Sequence, residues 1–296
     1  MMRQAHRHLG LLYLLATAIG WGFNWPALKV LLAEWPALFS RGVAGCTAAL
    51  ILAAIALARG ERLAVPRAAM PRLVLASFTN VFAWMGFSTL ALKTLTAGQG
   101  ALLVYTMPIW TTLFAWPVLG SRPTARGVAA LALGIAGVFA LLGGGGVAAS
   151  GGQWWGVALA LAAAMSFALG TVLNRTPMPI PPLATVVWQV GLGCLPMILL
   201  GLAFERPAPA LDPLGWAILA YMTLVPMALC YVTWFATLRH IPPATAATGM
   251  LLVPLIGVTS AAALLGEPFG LRQALAMALT FAGVALALRA PAPRKE

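Results

Sequence analysis

Acidic residues are scarce in this sequence, six Asp and Glu against 18 Lys and Arg in 296 residues. Glu34, Glu61, Glu205, Asp212, Glu267 and Glu296 fall at the ends of apolar runs, in the polar segments between them or in the tail, and none lies mid-run. That removes the intramembrane carboxylate that proton-coupled pumps commonly use as a relay, and with it the acid pair of an aspartyl protease. Cysteine is rare too. Cys46, Cys194 and Cys230 sit inside apolar runs without CxxC spacing, so they read as small buried hydrophobes, with no disulfide framework. His6 and His8 belong to a basic tail, and no cluster of metal ligands assembles around them, so neither a metal site nor a cofactor is expected. His240 follows Arg239 at a span end, where it serves either as an interfacial anchor or as a titrating group. No Walker motif is present: the glycine run Gly143–Gly146 lacks a following Lys-Ser or Lys-Thr and has no strand before it, and reads as a flexible loop.

Charge of either sign makes up 8% of the chain, hydrophobic residues 61%, and mean hydropathy is +0.93. A soluble domain carries about 25% charged residues. A lipid bilayer tolerates such a surface, provided that every backbone group is paired within a helix or a closed barrel. The apolar runs are about 20 residues long and do not alternate with period two, which favours helices over barrel strands. The net charge of +12 does not point to nucleic acid, because the basic residues lie between the apolar runs and read as topology signals. The spacing predicts ten spans, roughly 9–32, 36–58, 71–92, 97–119, 126–143, 153–174, 182–204, 213–237, 243–265 and 271–289. Arg3 and Arg7 ahead of the first run imitate a signal peptide, but the run continues to Leu32, too long for one, and reads as a retained helix.

The stretch Leu92–Leu142 recurs, ungapped, at an offset of about 146 residues. The register pairs Lys93 with Arg239, Pro108 with Pro254, Leu119-Gly120 with Leu265-Gly266, Arg126 with Arg272 and Ala136-Gly137-Val138 with Ala282-Gly283-Val284. The chain therefore reads as a duplication, with halves 1–146 and 147–296. Five spans per half is an odd number, so the second copy must cross the membrane in the opposite sense, the arrangement behind alternating access in many carriers. With both termini in the cytoplasm, the outer segments hold only Lys29, Arg41, Lys93, Arg206 and Arg272, and the remaining basic residues lie inside. The expected fold is an all-α integral membrane protein, ten transmembrane helices forming two inverted five-helix repeats around a central cavity.

Candidate site residues are the polar and aromatic side chains at mid-span. The first span contains Gly20-Trp21-Gly22-Phe23-Asn24-Trp25-Pro26, followed by Lys29. Pro26 cannot donate its backbone hydrogen bond and frees a carbonyl one turn earlier, so polar backbone becomes available beside Asn24. Asn24 serves either as a ligand contact or as an interhelical hydrogen bond, and Trp21 and Trp25 either as cavity walls or as packing. Lys29 is either a gate cation or a snorkelling one, and the offset pairs it with Arg175, as it pairs Lys93 with Arg239. Asn80, Trp84, Tyr105, Trp110, Trp188, Gln189, Tyr231 and Trp234 complete the set, and Pro108 and Pro254 mark kinks beside the cavity. Together they predict an aromatic, weakly polar and uncharged cavity. Small residues one turn apart, Ala130 with Gly134 and Ala278 with Ala282, mark the fifth and tenth spans as close-packing helices and not cavity walls.

Trp21-Gly22-Phe23-Asn24 with Lys29, Phe39-Ser40-Arg41, Tyr105-Thr106-Met107-Pro108, and Leu265-Gly266-Glu267 followed by Arg272 resemble the drug/metabolite transporter superfamily, EamA-type branch. The resemblance covers essentially the whole chain. It implies a bacterial inner-membrane carrier, often an exporter of amino acids or related metabolites, with a cavity lined by the first four spans of each half. Two departures stand out: the first copy of the motif ends Leu119-Gly120-Ser121 where many relatives carry Leu-Gly-Glu in both halves, and the ninth span has Val253-Pro254 in place of Glu-Pro. Both remove carboxylates. The expected activity is export of an amphipathic or aromatic metabolite by facilitated transport or exchange. Drug or dye efflux is the alternative, and a membrane scaffold or an intramembrane enzyme is less suited to duplicated halves without a catalytic constellation. The expected partners are a small-molecule metabolite and the lipid bilayer, with a homodimer admissible and no nucleic acid.

Overall fold

Helix follows helix along this chain, as the lack of period-two alternation requires. The computed structural model describes residues 2–120, 124–142, 151–241, 245–246 and 249–288. Ser121, the glycine run Gly143–Gly146 and residues 289–296 with Glu296 lie outside the described residues, whereas the segment of His6 and His8, expected as a basic tail, is part of α1. The first half contains α1 (Met2–Leu31), α2 (Ala37–Ala58), α3 (Arg67–Ala91), α4 (Ala97–Leu119) and α5 (Ala125–Leu142). The second contains α6 (Gly151–Leu173), α7 (Pro182–Phe204), α8 (Pro213–His240), α9 (Leu252–Leu265) and α10 (Leu271–Leu288). Among the described residues there is no strand. Seven of these helices, α1–α4 and α6–α8, are long and apolar enough to cross a membrane, whereas α5, α9 and α10 contribute shorter apolar helices.

The irregularities recur in the same register as the sequence. α3 widens into a π-turn over Phe78–Ala83, and α8 does so over Val225–Leu229. π-turns are rare and tend to sit at functional sites. α4 breaks at Tyr105-Thr106, and a turn at Met250-Leu251 precedes α9 within one residue of the corresponding place, with Pro108 and Pro254 just beyond. α4 and α9 both end on a left-handed glycine, Gly120 at φ 71° and Gly266 at φ 66°, where a side chain would strain the backbone.

Packing between the halves repeats too. α1 lies against α8 and α9, and α6 lies against α3 and α4; α2 pairs with α7, and α5 with α10. At the α2–α7 seam, a Cβ on Gly42 would meet Ile198, on Gly45 Cys194, and on Gly201 the backbone of Phe39. These partners run in opposite chain directions, so α2 and α7 are antiparallel. α5 and α10 are antiparallel as well, Gly137 facing Ala276 and Thr280 while Gly283 faces Ala130 and Gly134. The offset of 146 maps each of these two contacts onto the other. It also maps Gly10 against His240 and Ile241 onto Gly156 against Thr94 and Leu95. The α5–α10 seam corrects one sequence expectation: Ala130 and Gly134 are at the interface, but Ala278 and Ala282 are exposed, and Ala276, Thr280 and Gly283 take their place.

Three of the acids found between helices, Glu205, Glu267 and Asp212, have structural employment. Leu38 and Phe39 N–H donate to the Glu205 carboxylate at the start of α2, and Ala97 and Gly98 N–H donate to Glu267 at 2.6 and 2.9 Å at the start of α4. Asp212 accepts from Gly215 N–H at the start of α8. Each satisfies orphan donors and places negative charge at the positive end of a helix dipole.

Two outcomes follow for stability. Gly283→Leu drives a side chain into the backbone carbonyl of Ala130 and should destabilise the purified protein by about 1–3 kcal/mol, read as an earlier thermal unfolding midpoint. Glu267→Gln keeps the shape but loses the charge at α4, and should cost about 1 kcal/mol in the same measurement.

Candidate functional site

α1 is helical from end to end and presents two different faces. Ile19 and Phe23 point outward, while Trp21, Asn24 and Trp25 turn toward the interior. The carbonyl that Pro26 leaves without its helical donor is that of Gly22. It faces Gly257 of α9, so the freed backbone group is covered by close helix packing. The side chains beside it form the polar centre.

Arg41 lies one turn inside α2 and is only 6% exposed. Its Nη1–H donates to Asn24 Oδ1 at 3.2 Å, and its Nε is buried with no acceptor. Cys194 of α7 and Tyr231 of α8 lie close enough to feel its charge. This corrects two expectations. Arg41 is not an outer loop cation, and the interior is not uncharged. Arginine does not deprotonate in proteins, so a permanent positive charge sits among aromatic rings, at a desolvation cost of several kcal/mol even after relaxation. An arginine this far past the proline that opens α2 is the signal by which the sequence could have shown it.

Two groups of rings flank this centre. On one side Trp21 packs edge-on against Tyr231, with centroids 5.8 Å apart, and against Trp234 at 6.2 Å. The Trp21 indole N–H donates to the Pro226 carbonyl, inside the π-turn of α8, and Tyr221 O–H donates to the Gly20 carbonyl. On the other side Trp25 meets Tyr105, Tyr105 meets Trp84, and Trp84 packs on Phe167 of α6 at 4.7 Å. Asn24, Trp25 and Tyr105 are all buried, so the centre is closed to solvent. Phe167 is absent from the sequence reading, although the offset of 146 from Trp21 leads straight to it.

Other candidates lie apart from this cluster. Asn80 is half-buried in the π-turn of α3, accepts from Thr79 Oγ1–H at 3.2 Å and packs on Gly170 of α6. Trp110 donates its indole N–H to Thr106 Oγ1 at 3.1 Å, just past the break in α4 that Pro108 follows. Pro254 is buried in α9. Trp188 is 37% exposed on α7 and donates to the Leu63 carbonyl at 2.7 Å, with Gln189 half-buried beside it. Of the four candidate gate cations, Lys93, Arg175 and Arg239 are exposed at helix ends. Lys29 is engaged: its Nζ donates to the Leu92 and Leu95 carbonyls at 2.5 and 2.7 Å, holding the C-terminal end of α3, with Glu267 in electrostatic range. Its offset mate Arg175 has no corresponding placement, so the two do not form a matched pair.

A cavity of about 740 Å³ opens elsewhere, between α1, α8 and α9. Ile19, Phe23, Tyr221, Val225 and Leu264 line it, and Ile19, Phe23 and Leu264 are exposed on the outer surface of the helix bundle. Its walls are almost wholly apolar. Among the described residues no three His, Cys, Asp or Glu side chains come together as a metal-holding group.

Residues 8–143 and again 154–289 match the EamA-like transporter family. The probable amino-acid metabolite efflux pump of Salmonella typhimurium is 30% identical over 289 residues, covering 93% of each chain. The uncharacterized inner membrane transporter YedA of Escherichia coli K12 is 26% identical over 279 residues, covering 92% of this chain and 88% of the relative. One solved crystal structure, at 21% identity, superposes with a TM-score of 0.62 over 96% of both chains, which shows the shared fold. With the family's unit present in both halves, and full-length relatives at this level of identity, the chain belongs to the EamA-like transporter family.

Proposed function

We propose that the protein is an exporter of amino acids or related small metabolites in the bacterial inner membrane. On this reading it works by alternating access of two inverted five-helix halves, 1–146 and 147–296, with both termini in the cytoplasm. The observation that carries the mechanism is the antiparallel pairing of helices equivalent under the repeat, α2 with α7 and α5 with α10. Halves related by an axis along the membrane normal would place equivalent helices parallel; inversion places them antiparallel. The solute class rests on the efflux pump at 30% identity, and the inner membrane on YedA. The homodimer finds no support in the relatives' descriptions and is left aside.

The reading includes exchange or facilitated transport, since the acids at α2, α4 and α8 are committed to helix ends and none sits beside Arg41. One observation favours a second reading, efflux of hydrophobic drugs or dyes: the apolar groove between α1, α8 and α9 opens on the outer face of the bundle, where a lipid-dissolved solute would enter.

Topology is tested by single cysteines at the exposed helix ends. Lys93→Cys should react with a membrane-impermeant maleimide in intact cells, and Arg239→Cys only after permeabilisation; the reverse pattern overturns the orientation. The solute class is tested by counterflow into proteoliposomes without ion gradients, using labelled threonine, cysteine, phenylalanine and tryptophan. Accumulation of at least one supports uncoupled carriage of amino acids. Flux that appears only with an imposed proton gradient overturns the exchange mechanism, and flux of dyes alone moves the protein to the second reading.

A further inference from the structure

We infer that Arg41, presented by Asn24, is the anchor for a carboxylate of the carried solute; the inference rests on the carrier reading of this site. A guanidinium offers donors in a fixed planar fork that matches a carboxylate bidentately. Here Asn24 Oδ1 takes Nη1, and Nε is sealed from water without any acceptor. Cys194 and Tyr231 are its titratable neighbours, a thiol and a phenol, groups that are ordinarily uncharged at neutral pH. Among the described residues no carboxylate pairs with Arg41: Glu205, Glu267 and Asp212 are bound to backbone amides at helix starts, Glu34 is exposed just past the end of α1, and Glu61 lies beyond the far end of α2. A buried charge is ordinarily paired with an opposite one; among the described residues this one has an amide oxygen as its partner and no anion.

The repeat argues against a purely structural use. The position equivalent to Arg41 is Val187, buried in α7, and the position equivalent to Asn24 is Gly170. The duplicated architecture therefore packs without a cation or an amide at these two positions of the second half. Only the first half carries the pair, and it lies within the ring cluster of Trp21, Tyr231 and Trp25. A solute with its carboxylate on Arg41 would have its apolar portion among these rings. Carboxylate-bearing metabolites are thereby favoured over amines, amides and esters of the same shape.

The test is equilibrium binding to the purified full-length protein in detergent. Labelled phenylalanine and threonine are offered and competed with the free acids, their carboxamides, the decarboxylated amines and sodium chloride. The expected result is retention of at least one acid, with amide and amine at least about tenfold weaker competitors. Arg41→Gln should abolish retention, and Arg41→Lys, which keeps charge but not the fork, should restore part of it. Elution profile and thermal midpoint establish folding of the variants; should Arg41→Gln not fold, the wild-type competition series and Arg41→Lys decide alone. Retention of neither acid, equal competition by the amides, or unchanged binding in Arg41→Gln overturns the assignment. Displacement by chloride at concentrations equal to the acid assigns the guanidinium to an inorganic anion and overturns it as well. Acid-selective binding without counterflow would sink the carrier reading alone, and counterflow that does not distinguish acid from amide would sink this inference alone.

Discussion

In hydrocarbon, two helices gain little by hiding apolar side chains from lipid, because lipid tails are as apolar as leucine. What draws helices together there is close backbone approach, and this protein achieves it where a side chain is missing. Gly42, Gly45 and Gly201 let α2 and α7 touch, and Gly137 and Gly283 do the same for α5 and α10. A Cβ at Gly283 would lie 2.8 Å from the Ala130 carbonyl oxygen, so no larger residue fits without moving the helices apart. Both seams join a helix to its own repeat equivalent. On the proposed reading these seams are contacts on which the inverted relation of the halves depends, and α1 against α8 and α9 and α6 against α3 and α4 add to them.

Against this symmetric frame the polar centre is one-sided. Asn24 and Arg41 come from α1 and α2, and their equivalents are Gly170 and Val187. Gly170 accepts the close approach of Asn80 from α3, where a side chain would collide with the Asn80 amide oxygen. One copy of the site has therefore been spent on helix packing while the other holds an amide and a cation. Duplication supplies the frame twice over, but a solute needs only one place to be recognised. The cost of burying the guanidinium falls on the first half alone, next to the π-turn of α8 whose Pro226 carbonyl Trp21 has claimed.

Much of this was legible in the chain. The ungapped register through Pro108 and Pro254 gave the duplication, and the same register reappears in the breaks, the capping glycines and the seam contacts. Trp21, Asn24, Trp25, Trp84, Tyr105, Tyr231 and Trp234 were readable as interior aromatics and amide, because mid-span residues of these types have few other places to go. Arg41 was not, since a cation near a span end looks like a topology signal until its helix is seen to turn it inward. Ala278 and Ala282 misled for a related reason: in a helix made almost wholly of small residues, composition does not choose a face. The face that packs carries Thr280 with Ala276 and Gly283. Phe167 and the true α10 face were both one application of the offset away.

The paired irregularities suggest how such a frame moves. A helix bends where its hydrogen-bond ladder is already interrupted, and α3, α4, α8 and the approach to α9 are interrupted at equivalent heights. The two seams, by contrast, are continuous helices locked by backbone contact. On the proposed reading, opening to one side bends α3 and α4, and opening to the other bends α8 and α9, with the seams as the fixed axis. The rings follow from this division. Trp84 and Tyr105 sit on the first bending pair and contact Trp25 and Phe167, whereas Tyr231 and Trp234 sit on the second and contact Trp21. Trp21 and Trp25 both belong to α1, one turn apart and on either side of Asn24 in sequence. Whichever pair bends away, the ring contacts on the other side keep α1, and with it the Asn24–Arg41 hydrogen bond, in place. A single asymmetric site thereby stays assembled through a symmetric motion, which is what carriage past a fixed recognition point requires.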